Sequence, residues 1–107
     1  MIDGFILKTV DIDSKEWRDR VNGNTYFASR ITLNNGMPDE KTLYIDFRYG
    51  DGNGMADQEA FKLVKPYLPE GSKVTSFWQA RDEYHILTRR NVQSKCLQRE
   101  VRAWGKP

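Results

Sequence analysis

The stretch Asn22–Tyr67, NGNTYFASRITLNNGMPDEKTLYIDFRYGDGNGMADQEAFKLVKPY, contains a turn, two strand-like runs, a glycine-rich loop and the best helix pattern in the chain. At its start lies Val21-Asn22-Gly23-Asn24-Thr25, and Asn and Gly are the residues that accept the positive φ angles of a tight hairpin turn. Two strands should meet there. From Tyr26 to Leu33 the residues alternate, with Phe27, Ser29, Ile31 and Leu33 on one face and Tyr26, Ala28, Arg30 and Thr32 on the other, the period of a half-buried strand. After the loop-like Asn34–Asp39, Leu43, Ile45 and Phe47 alternate against Thr42, Tyr44, Asp46 and Arg48, so a meander is expected. Asp46 is the one carboxylate inside a predicted strand, and a cross-strand pair with Arg30 or Arg48 would account for it better than catalysis.

Past Tyr49-Gly50-Asp51-Gly52-Asn53-Gly54, the residues Ala56, Ala60, Phe61, Val64 and Tyr67 recur at helical spacing and predict an amphipathic helix from about Gly54 to Lys65. Asn53 is its candidate cap, Asp57 and Glu59 suit its N-terminal dipole, and Pro66 should end it. A strand, a glycine loop and a helix also compose a phosphate cradle, but Met55 and Ala56 stand where a P-loop needs Lys and Ser or Thr. Gly50, Gly52 and Gly54 are evenly spaced, unlike the dinucleotide fingerprint, and Asp51 would repel a phosphate. A calcium loop fails at Met55 and Lys62, where oxygen donors are required. The loop reads as a strand-to-helix connection, with a partner-binding loop or an enzyme site as the lesser readings.

Asn24–Ile31 followed by Phe47-Arg48-Tyr49-Gly50-Asp51-Gly52 and a helix resembles a loose group of small phage-encoded proteins. In that group an N-x-Y-x-x-x-R strand precedes an aromatic, glycine-spaced segment. Here Asp51 stands where the pattern has a second aromatic. The resemblance covers about the middle third of the chain. It implies an origin in a phage or other mobile element and carries no assigned activity or site residues.

At 107 residues the chain is expected to form a single domain, residues 1–107. Charged residues make up 30% and hydrophobic ones 38%, which suits a globular protein and argues against disorder. No run approaches the roughly 18 to 20 apolar residues of a membrane span. Asp3 and Lys8 interrupt the layout of a secretory leader, so a cytoplasmic location in the host cell is expected. One cysteine, Cys96, and one histidine, His85, exclude an internal disulfide and most zinc chemistry. Cys96 is expected to be a packing residue and His85 a sheet-surface residue, with no cofactor, no metal and no enzymatic activity.

Elsewhere, Phe5–Val10 reads as an interior strand, Asp11-Ile12-Asp13-Ser14 as a turn, and Trp17, Asp19 and Val21 as the incoming hairpin arm. Leu68-Pro69-Glu70-Gly71 is a turn, after which Lys73–Arg81 alternates as a strand, reverses at Arg81-Asp82-Glu83, and returns through Tyr84–Thr88. Phe77 and Trp78 fall on opposite faces, so one of these rings should be exposed. Leu97, Val101 and Trp104, behind a Ser94 cap, suggest a short C-terminal helix, with a strand through Leu97, Arg99, Val101 and Ala103 as the alternative. The expected fold is α+β: an antiparallel sheet of five or six strands, one amphipathic helix packed on it and a short C-terminal helix.

Charge is uneven. Residues 1–80 hold 10 Lys and Arg against 12 Asp and Glu, while residues 81–107 hold 7 against 3. Arg89, Arg90, Lys95, Arg99 and Arg102 therefore form a candidate cationic face, with Trp78, Tyr84 and Trp104 as neighbouring rings. A pI of 8.7 lies below the value of about 9 usual in dedicated nucleic-acid domains, and no RRM, KH, zinc-finger or helix-turn-helix signature accompanies it. The leading expectation is a small phage or mobile-element accessory protein that binds a host protein or defence complex without catalysis. Its candidate contacts are Arg89, Arg90, Arg99, Arg102 and Trp104, because Arg and Trp dominate binding hot spots. The alternative is nucleic-acid binding through the same segment, and a sheet edge offers a route to self-association.

Overall fold

Asn22-Gly23 does turn a hairpin. A computed structural model of the protein describes residues 4–107; Asp3, used in the leader argument, lies outside them. Strand β1 (Thr9–Asp19) runs antiparallel to β2 (Asn24–Leu33), with Val10 opposite Leu33 and Asp19 opposite Asn24. Gly23, at φ 75°, donates its N–H to the Asp19 carbonyl at 2.7 Å and closes the turn. Strand β3 (Lys41–Tyr49) pairs antiparallel with β2, and β4 (Leu87–Gln93) pairs parallel with β1. The order is β3-β2-β1-β4.

The sheet is therefore mixed and has four strands, where an antiparallel one of five or six was expected. Three local readings account for the difference. First, the predicted strand Phe5–Val10, the turn Asp11–Ser14 and the arm from Trp17 are largely one strand, β1, because the turn-like carboxylate of Asp11 sits on the strand face and is met by Nε and Nη2 of Arg89, at 2.7 and 3.2 Å. Phe5 and Leu7 are buried from a non-strand segment instead. Second, the alternation over Lys73–Arg81 is a helix, α2 (Phe77–Tyr84), capped by Ser76, whose Oγ accepts the Gln79 N–H at 3.2 Å. Third, α2 runs through the predicted reversal and ends at His85, in the left-handed region at φ 57°, so the last strand starts only at Leu87. One of the two rings is exposed, as expected, but by helical geometry: Trp78 is exposed and Phe77 buried.

The long connection from β3 to β4 crosses the sheet as parallel pairing requires. It carries helix α1 (Gly54–Val64), a 3₁₀ turn (Lys65–Tyr67) containing Pro66, and α2. Ala56, Ala60 and Val64 recur every four residues and are fully buried, packing with α2's Phe77 and Ala80 over Val10, Ile12, Phe27, Ile31, Leu33 and Ile45. Asn53 makes no side-chain cap bond; Asp51 does that work, its Oδ1 accepting the N–H groups of Asn53 at 2.8 Å and Met55 at 3.3 Å.

The opposite face is covered by α3 (Gln98–Trp104), the expected C-terminal helix, which buries Val101 against Ala28 and Cys96 with Trp17, Phe47 and Trp104 around them. A register shift lets Phe47 reach that side: Ser29 pairs with Ile45 but Phe27 with Arg48, so β3 carries one extra residue. Phe47, predicted on the face of Ile45, consequently stacks on Tyr26 across the sheet from it, at 5.2 Å between ring centroids. Asp46, at the bulge, accepts the Phe47 N–H at 2.9 Å and pairs with neither Arg30 nor Arg48; Arg48 reaches Glu59 of α1.

Asn34 fastens the N-terminal segment to the sheet. It is fully buried at φ 52°, its Oδ1 accepts from Lys8 and Thr9 N–H, and its Nδ2 donates to the Ile6 carbonyl and to Asp39. Asn34→Ala should cost about 2–3 kcal/mol in urea denaturation, the scale of buried polar groups left unpaired. Asn34→Gly, which tolerates φ 52° but lacks the amide, should stay destabilised by most of that amount; wild-type stability in the Gly variant would rule out the clamp. At the other terminus a Cβ on Gly105 would stand 2.7 Å from the Ile45 carbonyl oxygen and 2.9 Å from the Asp46 Cα. Gly105→Ala should thus loosen α3, seen as faster limited trypsin cleavage at Arg99 and Arg102 than in the wild type.

Candidate binding groove at the hairpin tip

The β1–β2 hairpin outruns its neighbours. β4 pairs with β1 only from Thr9 to Lys15, whereas β1 continues to Asp19. Leu87 donates to the Lys8 carbonyl at 3.1 Å and Cys96 to the Glu16 carbonyl at 3.0 Å, so even-numbered residues of β1 turn their backbone groups to this outer edge. Arg18 continues that series. Across the hairpin from it, Thr25 gives its carbonyl to Gly50 N–H at 2.9 Å, which leaves the Arg18 N–H and C=O facing outward with no strand beside them.

The edge is uncovered because the chain leaves the sheet after Gln93. Lys95, at φ 63°, turns it onto the α3 face, and the Cys96 Sγ donates to the Gln93 carbonyl at 3.3 Å. Between this turn and the hairpin tip lies an open groove of about 650 Å³. The buried Cys96 and half-buried Trp17 line its inner part, and Val21, 93% exposed, and Leu97, 51% exposed, are its apolar rim.

Its charges are unequal in availability. Glu16 accepts the Gly52 N–H at 2.6 Å. Asp19 accepts from the Asn22 side chain and from the N–H groups of Val21 and Asn22; the Asn22 side chain first, then those backbone donors, hold its carboxyl below the ordinary range. Arg18, Arg20 and Lys95 also line the groove and have no ion-pair partner among the described residues.

The five expected contact residues do not converge. Arg89 and Arg90 are consecutive in β4 and point to opposite faces, Arg89 to Asp11 and Arg90 to Asp57 of α1 at 2.5 and 2.9 Å. Arg102 lies over the Phe47 ring at 4.2 Å from its centroid. Trp104 fastens α3: its Nε1–H donates to the Asp13 carbonyl at 2.8 Å, and Arg30 and Lys15 lie over its ring, 3.9 and 4.5 Å from the centroid. Arg99 alone of the five is exposed with no partner among the described residues.

Other chemistry-bearing groups are engaged in the fold. His85 caps α2 and Cys96 follows β4, so the seven residues of that strand, about 20 Å or more of chain, separate them. In the Tyr49–Gly54 loop, the N–H groups a phosphate would need at Gly52 and Asn53 go to the carboxylates of Glu16 and Asp51. No group of three or more metal-ligating side chains occurs among the described residues, nor does any helix there have the length and apolarity to cross a membrane. Comparison with known protein families, with curated proteins and with solved structures yields no match.

The groove is not legible in local sequence. Arg18 lies in the hairpin arm and Arg20 in the turn after it, and that Lys95 and Leu97 return beside them depends on the parallel pairing of β4, which no local pattern announces.

Asp13, on the α3 face, offers a check on these electrostatics. Burial first, then the neighbouring Asp11, raises its carboxyl above the ordinary range, and Arg89 opposes them. A carboxyl more easily protonated when folded adds stability at low pH that is lost as pH rises through its folded-state pKa. Asp13→Asn should therefore stabilise the protein at pH 7 and leave it nearly unchanged at pH 3, as read from urea midpoints at both pH values.

Proposed function

We propose that this chain acts by non-catalytic binding to a protein partner, docked in the groove between the hairpin tip and the Ser94–Leu97 turn. The observation that carries the reading is the exposure of Val21 and Leu97 on either side of a groove whose three cations have no partner. Exposed apolar side chains are ordinary singly; flanking a concave strip of open strand edge, they suit an interface. Arg99, two residues beyond Leu97, is the expected contact residue that best fits this surface.

The likeness of Asn24–Ile31 and Phe47–Gly52 to small phage-encoded proteins supports a phage or mobile-element accessory role, with a host protein or defence complex as the partner, met in the host cytoplasm. A specific feature also favours the nucleic-acid alternative: Trp17, Tyr26, Phe47 and Tyr49 form a row of rings across β1, β2 and β3, with Tyr49 63% exposed. It carries less weight because Arg89, Arg90 and Arg102, the cations meant for phosphates, already hold carboxylates or a ring.

Affinity capture from host lysate with the wild type and with Val21→Asp/Leu97→Asp tests the proposal. Both side chains are exposed, so the thermal midpoint should hold while a specific partner retained by the wild type is lost. A partner kept by the double variant would move the interface elsewhere. Binding to single-stranded DNA or RNA that collapses between about 50 and 200 mM salt, the mark of phosphate contacts, would put nucleic acid first.

A further inference from the structure

We infer that the groove takes an extended peptide with alternating acidic and apolar residues, added as a strand to the outer edge of β1; this rests on the reading of the groove as the partner site. The edge supplies the template. β4 occupies the position beside β1 as far as Lys15, Cys96 makes one more bond at Glu16, and the Arg18 N–H and C=O then stand open in the same line. An added strand would continue where β4 stops, its main chain giving affinity and its alternate side chains selecting sequence.

The two faces of β1 set that alternation. Trp17 lies on the α3 face, beside Cys96 and Leu97, so peptide residues on that side meet apolar surface. Arg18 lies on the opposite face with Glu16, whose carboxylate is held by Gly52, so residues on that side meet an unpaired guanidinium; Arg20, in the turn after β1, lines the same groove. Opposite charges directly across two strands attract, and like charges repel. That argues against a second copy, since two-fold antiparallel pairing at Arg18 would set the Arg18 side chains of the two copies directly opposite each other.

Fluorescence anisotropy with three labelled octapeptides tests this: alternating Val and Glu, the same with Lys for Glu, and the Val-Glu peptide N-methylated at alternate residues on the edge meant for β1. The first should bind; the other two should bind at least about tenfold more weakly, the loss of a charge-assisted contact or of a main-chain bond. Arg18→Pro, which removes the outward N–H where a strand edge tolerates it, and Arg20→Glu/Lys95→Glu should weaken the first peptide to a similar degree at unchanged thermal midpoint. Should Arg18→Pro not fold, the N-methylated peptide carries the edge test by itself. Equal binding of the methylated peptide would overturn strand addition, and the groove would survive only if Val21→Asp/Leu97→Asp still abolished that binding. Failure of the Val-Glu peptide to bind overturns the inference, whereas the reading of the groove stands or falls separately on the capture experiment. A wild-type dimer in sedimentation that Arg18→Pro converts to monomer would overturn it in favour of a second copy, and displacement of the peptide by single-stranded DNA would do so in favour of nucleic acid.

Discussion

Parallel pairing of Thr9–Lys15 with Leu87–Gln93 is the constraint on which the rest of the structure depends. A meander alone would leave β1 on an edge and one face of the sheet open. Bringing β4 to β1 from the far side of β3 demands a crossover, and that crossover supplies α1 and α2, the cover for Val10, Ile12 and Ile31. β1 and β2 are then buried on both faces, which explains why Val10, Asp11 and Ile12 are consecutive buried residues rather than an alternating set. Asp11 is tolerated there because Arg89 is its direct cross-strand neighbour and meets both of its oxygens.

A sheet covered on both sides needs apolar side chains on both, and β3 supplies them by breaking its own period. The extra residue between Ile45 and Arg48 sends Ile45 to α1 and Phe47 to α3. On that second face the contact is more polar: Trp104 bonds the Asp13 carbonyl, Arg30 donates to the Trp104 carbonyl at 3.0 Å, and two cations lie over the indole. A seven-residue helix has too few turns to hold itself together, so these bonds and the close approach of Gly105 to β3 do that for it.

Elements set by neighbouring residues were legible in the chain, and elements set by distant ones were not. Asn22-Gly23 specified the hairpin, and the four-residue recurrence of Ala56, Ala60 and Val64 specified α1 almost to its ends. Two patterns compete at α2: Val74 to Ala80 alternates, but Ser76 and Gln79 are spaced as a capping box, and the Gln79 side chain does reach back, to Thr75, at 2.7 Å. Asp11 reads locally as a turn residue because its partner, Arg89, lies 78 positions away. His85 ended a helix where Gly is the usual signal.

The same distinction separates the basic end counted along the chain from the cationic surface in space. Seven cations in the last 27 residues suggested one face, yet strand alternation sends Arg89 and Arg90 apart, and each finds a carboxylate from the less basic part of the chain, Asp11 and Asp57. The cations left without partners at the groove come from both parts, Arg18 and Arg20 from the hairpin and Lys95 from the turn after β4. What brings them together is the difference in length between β1 and β4. Had β4 run on beside Arg18, its backbone would have closed the edge and its side chains would have filled the groove, so the candidate site exists because one strand of a parallel pair stops short.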